Sequence, residues 1–517
     1  MKFKLLNKTC CSFTFELENK DVYFSSKKYD VYLNNELLYK DLNTNVFSIF
    51  NLKDDQEYEI KIDEDILSVK TLKASYILNA KDFVTSKEDM TLAIQSAIMA
   101  TPKDGLLVFE SGTYKITSLF LKSNITIELK KGAVILMSNK KEDFPLLKGE
   151  ILSHHNELPL EITTWEGRPL DGMPSLITGY DVENVNITGE GTIDGDAQNG
   201  VFWIDVKKMT YARPRMIFLN RCKNINLVGI TVKNSPSWTI HPYFSDYLNF
   251  YDLKIINPKD APNTDGLDPE SCEYVNIVGI NFSVGDDCVA LKSGKIEIGR
   301  TFKRPCRYVN IRNCFMNEGH GGVVLGSEAG AGVKDLEVER CYFKHTDRGL
   351  RIKSRRGRGK DSYFDNIVFN DIKMDNVLTP LVINMFYFCD PDGKSFEVQD
   401  KNARPVDETT PYLGSFTFNN IESINSEWAL GFFYGLPEQK IGSITIKNST
   451  FTTKKDAGSG RPAMMCDIDD NYSKAGFIFN NVNKVRFENV RIEGQEGEEI
   501  TLNNVNEFER LWKKDIL

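Results

Sequence analysis

T-D-G-L-D-P-E-S (264–271), D-D-C-V-A-L-K-S (286–293), H-G-G-V-V-L-G-S (320–327) and D-R-G-L-R-I-K-S (347–354) all end alike. Anchored on Ser271, Ser293, Ser327 and Ser354, the four stretches align without a gap. One column holds Leu267, Val289, Val323 and Leu350, and another holds Asp265, Asp287, Gly321 and Arg348. A repeat of roughly 22–34 residues predicts a solenoid, each turn supplying one rung. Residues of one column then become neighbours at the spacing of paired strands, about 4.8 Å. Carboxylates, a histidine and basic residues far apart in the chain are thereby gathered on one face.

Working outward, rungs of one pattern recur at 124–129, 184–187, 224–227, 247–250, 274–277, 308–311 and 335–338. Weaker copies follow at 366–369, 442–446 and 485–487. Short Asn/Val/Ile-rich strands with few helical periods predict an all-β class. A chain of 517 residues is too long for one compact core, but a solenoid grows by repetition. Ser86-x-x-Asp89, followed by Leu92, Ile94, Ala97 and Ile98, predicts a capped helix over the open first turn. Two long insertions interrupt the rungs, at about 138–180 with His154, His155, Trp165 and Arg168, and at about 389–415.

Residues 1–78 differ from the rest. Tyr29 to Leu33 and Val46 to Phe50 alternate around the turn at Asn34-Asn35. Leu52-x5-Tyr58 resembles the tyrosine corner of a fibronectin type III sandwich, with Asp54 and Gln56 where Pro and Thr are usual. The expected division is a small β-sandwich at 1–78 and a solenoid at 79–517.

The net charge of −9 argues against a nucleic-acid partner. Positive charge is nevertheless concentrated at Arg351, Lys353, Arg355, Arg356, Arg358 and Lys360; the last four read equally as ligand contacts or as a solvated loop. The ten cysteines show no C-x-x-C pair, and Cys314 and Cys341 fall in a column of core residues. No apolar leader or membrane-length stretch is present in this sequence, so a reduced, cytoplasmic setting without membrane contact is expected, or a secreted one if a leader has been trimmed.

Asn263-Thr264-Asp265-Gly266, Gly285-Asp286-Asp287-Cys288, Gly319-His320-Gly321 and Arg351-Ile352-Lys353 resemble, in order and spacing, the four signatures of glycoside hydrolase family 28, the polygalacturonases. Asn234-Ser235-Pro236-Ser237-Trp238 and Gly191-Thr192-Ile193-Asp194-Gly195 also look like stretches of that family. The resemblance covers about residues 80–500 and implies a right-handed parallel β-helix that needs no metal or other cofactor. It implies Asp286 as general acid, Asp265 and Asp287 as the pair that holds and deprotonates water, and His320 as support for the acid. Arg351 and Lys353 would hold a uronate carboxyl on the leaving-group side, with Asn263 and Tyr387 as further substrate contacts. An inverting pair of this kind lies about 6.5–9.5 Å apart. The implied substrate is polygalacturonate or an oligogalacturonide, and the walling insertions favour attack from the non-reducing end. Endo-action, a mixed rhamnogalacturonan backbone, a pectate lyase and a non-catalytic carbohydrate-binding helix remain the alternatives.

Overall fold

The structure is a computed structural model. It describes residues 1–512 except 87, 153–158, 209 and 470. The N-terminal segment folds as two antiparallel sheets. Phe3–Lys8, Phe13–Leu17 and Val46–Ile49 form one; Glu36–Thr44, Phe24–Leu33, Glu57–Ile62 and Asp65–Lys70 form the other. Phe13, Phe15, Val31, Ile60 and Ile62 fill the space between them. Tyr58 Oη accepts the Lys53 amide hydrogen at 2.8 Å, the backward bond that a tyrosine corner makes. Ile77–Asn79 already pairs in parallel with Gly105–Phe109, the first parallel contact of the solenoid.

From there the chain winds as a parallel β-helix with three ladders. The first contains Ile125–Leu129, Glu183–Gly189, Lys223–Val228, Asp246–Tyr251, Glu273–Val278, Cys306–Arg312 and Val333–Glu339. Each rung enters through a left-handed residue: Asn124, Asn184, Asn224, Tyr247, Tyr274, Tyr308 or Asp335. Asparagine tolerates that conformation, and stacking holds the side chains there. Asn184 donates to Asn124 at 2.8 Å and Asn224 to Asn184 at 2.7 Å. Tyr247, Tyr274 and Tyr308 stack at 4.8 and 5.0 Å. Cys314 and Cys341 are fully buried, and all ten thiols are free.

The third ladder carries the quoted stretches. Leu267 bridges Val289, Val289 pairs with Val323, and Val323 with Leu350, which is the register that the serine alignment predicts. These four side chains are wholly buried, and from them onward the strands alternate, so that Arg351 and Lys353 point outward between Leu350 and Ile352.

The first-turn helix is Thr91–Ala100, later than the sequence suggests. Ser86 and Asp89 do not form a capping box. Asp89 Oδ1 accepts the Thr91 amide and hydroxyl instead, and Met90, at the cap position, gives its N–H to Lys115 O at 2.8 Å. Ile94, Ala97 and Ile98 cover the core, but Leu92 is 83% exposed, because the winding of the helix turns it away from the first rung.

The sandwich rests on the corner between the first and second ladders. Val46 and Phe50 pack on Val228, Tyr251 and Val278. Gly229 and Gly279 turn that corner with φ of 78° and 72°; a Cβ there would lie 2.1 Å from Phe50 and 2.6 Å from Val46. Among the described residues no helix is long and apolar enough to cross a membrane.

Candidate active site

Asp265 and Asp287 lie in neighbouring rungs of one column, two residues before the buried Leu267 and Val289, and Asp286 ends the loop before Asp287. The three carboxylates each bring one oxygen within 4.8 Å of the others. Asp265 and Asp287 are buried, at 3% and 0% exposure. Asp286 and His320 have side chains 22% and 53% exposed, so solvent reaches the trio from their side. His320 Nδ1 is 3.2 Å from Asp286 Oδ1, and this hydrogen bond raises the imidazole pKa.

The basic pair does more than wait for a ligand. Arg351 Nη1 donates to Asp287 Oδ1 at 3.2 Å and Lys353 Nζ to Oδ2 at 2.7 Å. Burial works to raise the Asp287 carboxyl, but the two cations overcome it and hold it well below the usual carboxylate range. Asp265 goes the other way. Burial, then the charges of Asp268 and Asp286, push it well above that range, against the pull of Lys292. The trio is also a group of ligand atoms close enough to share a cation. Arg351 and Lys353 already neutralise its most anionic member.

Tyr387 sits at the same rim, its ring 5.9 Å from Lys353 Nζ. Asn263 is tied to an earlier loop through its amide oxygen. Its amide oxygen accepts from Arg213 Nη2, and Arg213 also donates to the carbonyls of Pro236 (2.8 Å) and Pro262 (3.2 Å).

The 138–180 insertion returns to the site. Thr164–Trp165 pairs with Arg168–Pro169 as a tight hairpin. Trp165 stacks on Trp238 at 6.1 Å and 14°, with Arg215 4.9 Å from both rings. Trp238 stands two residues before Ile240, which bridges Leu267, so it occupies Asp265's column one rung earlier. Gly167 accepts the Lys295 amide at 3.1 Å, and a Cβ on it would lie 2.7 Å from Lys295 N. The hairpin thus reaches from Trp238 to Lys295 and Glu328 beside the carboxylates. His154 and His155 lie outside the described residues.

The basic run is neither a solvated loop nor a free polymer contact. Arg355, Arg356 and Arg358 are buried: Arg355 and Arg358 bind Asp390 and Asp392 of the second insertion, and Arg356 binds Glu438 and the insertion's Asp400 and Asn402 carbonyls; of the four, only Lys360, paired with Glu408, is exposed. Charge density in the sequence could not reveal acidic partners more than thirty residues away.

Sequence reasoning also passed over Lys292, Asp268 and Glu328. Lys292 Nζ is 3.2 Å from Glu328 Oε2, 3.8 Å from Asp265 Oδ2 and 4.3 Å from the centre of the Trp238 ring. Both Asp268 carboxylate oxygens are buried without a hydrogen-bond partner among the described residues. The signal for Lys292 lay in the alignment itself. The position before each anchoring serine reads Glu270, Lys292, Gly326 and Lys353, an outward column with three charged members.

Residues 132–407, more than half of the chain, match the sequence profile of glycosyl hydrolases family 28. The chain belongs to that family. A probable polygalacturonase of Vitis vinifera is 33% identical over 299 residues, 55% of this chain and 58% of the relative. An exo-poly-alpha-D-galacturonosidase of Dickeya chrysanthemi is 24% identical over 64% of this chain and 60% of its own. The chain thus spans somewhat under two thirds of these family 28 relatives. A family 28 exopolygalacturonase of Yersinia enterocolitica shares the fold, with a TM-score of 0.71 at 19% identity over 99% of this chain and 98% of that one.

Proposed function

We propose that this family 28 chain hydrolyses α-1,4-galacturonosyl bonds with inversion, cutting mono- or digalacturonate from the non-reducing end of polygalacturonate or oligogalacturonides. The observation that carries the reading is the trio of carboxylates with the basic pair beside it. Hydrogen bonds of about 2.8 Å let one water touch two oxygens less than 5 Å apart, so Asp265 and Asp287 can grip it. Asp286, on the open side with His320, donates its proton to the leaving oxygen. Water attacks the anomeric carbon, its proton passes to the gripping pair, and the electrons of the broken C–O bond go to the leaving sugar. A uronate carboxylate on the leaving side would compete with Asp287 for Arg351 and Lys353, and so loosen Asp287 when substrate binds.

The closest-oxygen distance is shorter than the carboxyl separation of about 6.5–9.5 Å usual for inversion. Support for inversion is therefore chemical. Asp287 has both oxygens on cations and Asp265 is buried, so neither is presented as a nucleophile. Exo-action is favoured by the hairpin at 164–169, whose Trp165 covers Trp238 one rung before Asp265. Proton NMR with chromatography of the earliest products tests both points. The β-anomer and one small species are expected. An initial α-anomer overturns inversion, and a spread of oligomers overturns exo-action. Unsaturated products absorbing in the ultraviolet would mean a lyase.

A further inference from the structure

Lys292 lies beside Asp265, and the proposed reaction leaves it without a task. It is buried, at 2% exposure, and tied from three sides. Glu328 Oε2 lies 3.2 Å from its Nζ, and the other Glu328 oxygen accepts from Ser327 Oγ at 3.0 Å. The Trp238 ring lies 4.3 Å away, itself pinned by Trp165 of the insertion. The remaining direction leads to Asp265 Oδ2, at 3.8 Å. Glu328 is not spare acidity, because Lys292, with help from Lys353 and Arg358, holds it far below the usual carboxylate range despite burial.

The groups facing Asp265 are the carboxylates of Asp268, Asp286 and Asp287 and the cations Lys292, Arg213 and Arg215. Arg213 is committed to Asn263 and two carbonyls, and Arg215 lies against the tryptophans. Among the described residues, only Lys292 reaches ion-pair distance of Asp265. The two members of the water-gripping pair are therefore served differently. Asp287 has two cations in direct contact, which suits an orienting anion and makes it a poor proton acceptor. Asp265 has a single, more distant cation and stronger proton affinity, which suits a base.

We infer that Lys292, fixed by Glu328 and Trp238, is a positioning residue that holds Asp265 as the anion accepting the proton of the attacking water, while Asp287 orients that water. In this step the water O–H bond breaks, its proton joins an Asp265 oxygen, and the oxygen lone pair forms the new bond to the anomeric carbon. The inference rests on the hydrolytic reading above but adds a division of labour to it.

The test compares Lys292→Met, Lys292→Arg and wild type in two ways. On oligogalacturonide, Lys292→Met should lower kcat by about 10- to 100-fold, a part of what general-base catalysis supplies. KM should stay within about threefold, and the acidic limb of the kcat/KM profile should rise by about one pH unit, because a lost cation favours protonated Asp265. Lys292→Arg should restore much of both. Without substrate, carboxyl-carbon NMR titration of protein labelled at aspartate should show Asp265 titrating higher in Lys292→Met and Asp287 little changed. An unmoved Asp265 titration overturns the inference whatever the substrate proves to be. An active wild type with an unmoved acidic limb in Lys292→Met overturns it while leaving the hydrolase reading intact. A lowered Tm with unchanged kcat per folded molecule would mean that Lys292 only packs.

Discussion

Two buried charge clusters lie on this β-helix, and they are built to opposite rules. At the sandwich contact a single carboxylate, Glu16, wholly buried, receives Arg312 Nε at 2.9 Å, Arg340 Nη2 at 3.1 Å and Asn313 Nδ2 at 2.8 Å, with Lys4 at 3.3 Å. Burial opposes its charge, but these cations hold it below its ordinary range. On the third ladder Asp265, Asp268, Asp286, Asp287 and Glu328 crowd around Lys292, Arg351 and Lys353, and Asp268 has no hydrogen-bond partner among the described residues. A satisfied cluster fastens one domain to another. An under-satisfied one leaves proton affinities far apart within one site, which is what acid–base chemistry requires.

The largest effect that would break this contrast is at Asp286. Asp286→Asn should lower turnover by about 10²–10⁴-fold while leaving Tm and substrate binding nearly unchanged, because only the donated proton is lost. Retention of more than about a tenth of wild-type kcat would remove Asp286 from the acid's role. At the satisfied cluster the reverse is expected. Glu16→Ala leaves half-buried Arg312 without a carboxylate and buried Arg340 with Glu339 alone, costing about 3 kcal/mol of stability, with kcat per folded molecule unchanged. Denaturant midpoints alongside initial rates check both halves.

The smallest effect sharpens the comparison by pH. Asp252, at the sandwich contact near Ser48, is pushed up to about 7 by burial. A carboxyl with a raised folded pKa costs nothing while both states are protonated. The cost grows as pH rises through the unfolded value and levels off above the folded one. Asp252→Asn should therefore melt with wild type near pH 4 and a few degrees above it at pH 8. Parallel melting at both values would mean that Asp252 ionises freely in the folded protein.

Much of the site was legible because a parallel helix makes alignment and adjacency the same thing. The serine-anchored columns of Asp265, Asp287 and Gly321 and of Leu267, Val289, Val323 and Leu350 are the observed neighbours. The alternation at 350–353 correctly turned Arg351 and Lys353 outward beside the carboxylates. Legibility failed where partners came from outside the repeat. Arg355 and Arg358 meet Asp390 of a later insertion, and Arg356 meets Glu438 beyond it. The capping residues at 86–89 lost to the backbone of Lys115, two strands on.

By itself the sequence determined the all-β solenoid, its register and the outward turn of Arg351 and Lys353, because a strand's two-residue period and a rung's stacking both act between residues of like position. Only the tertiary structure decided how those outward groups are charged. It set Asp287 between two cations, Asp265 against one, and the Trp165 hairpin across the column. Such outcomes depend on burial and on distances between unrelated segments, and Coulomb interactions in a buried site change steeply with both.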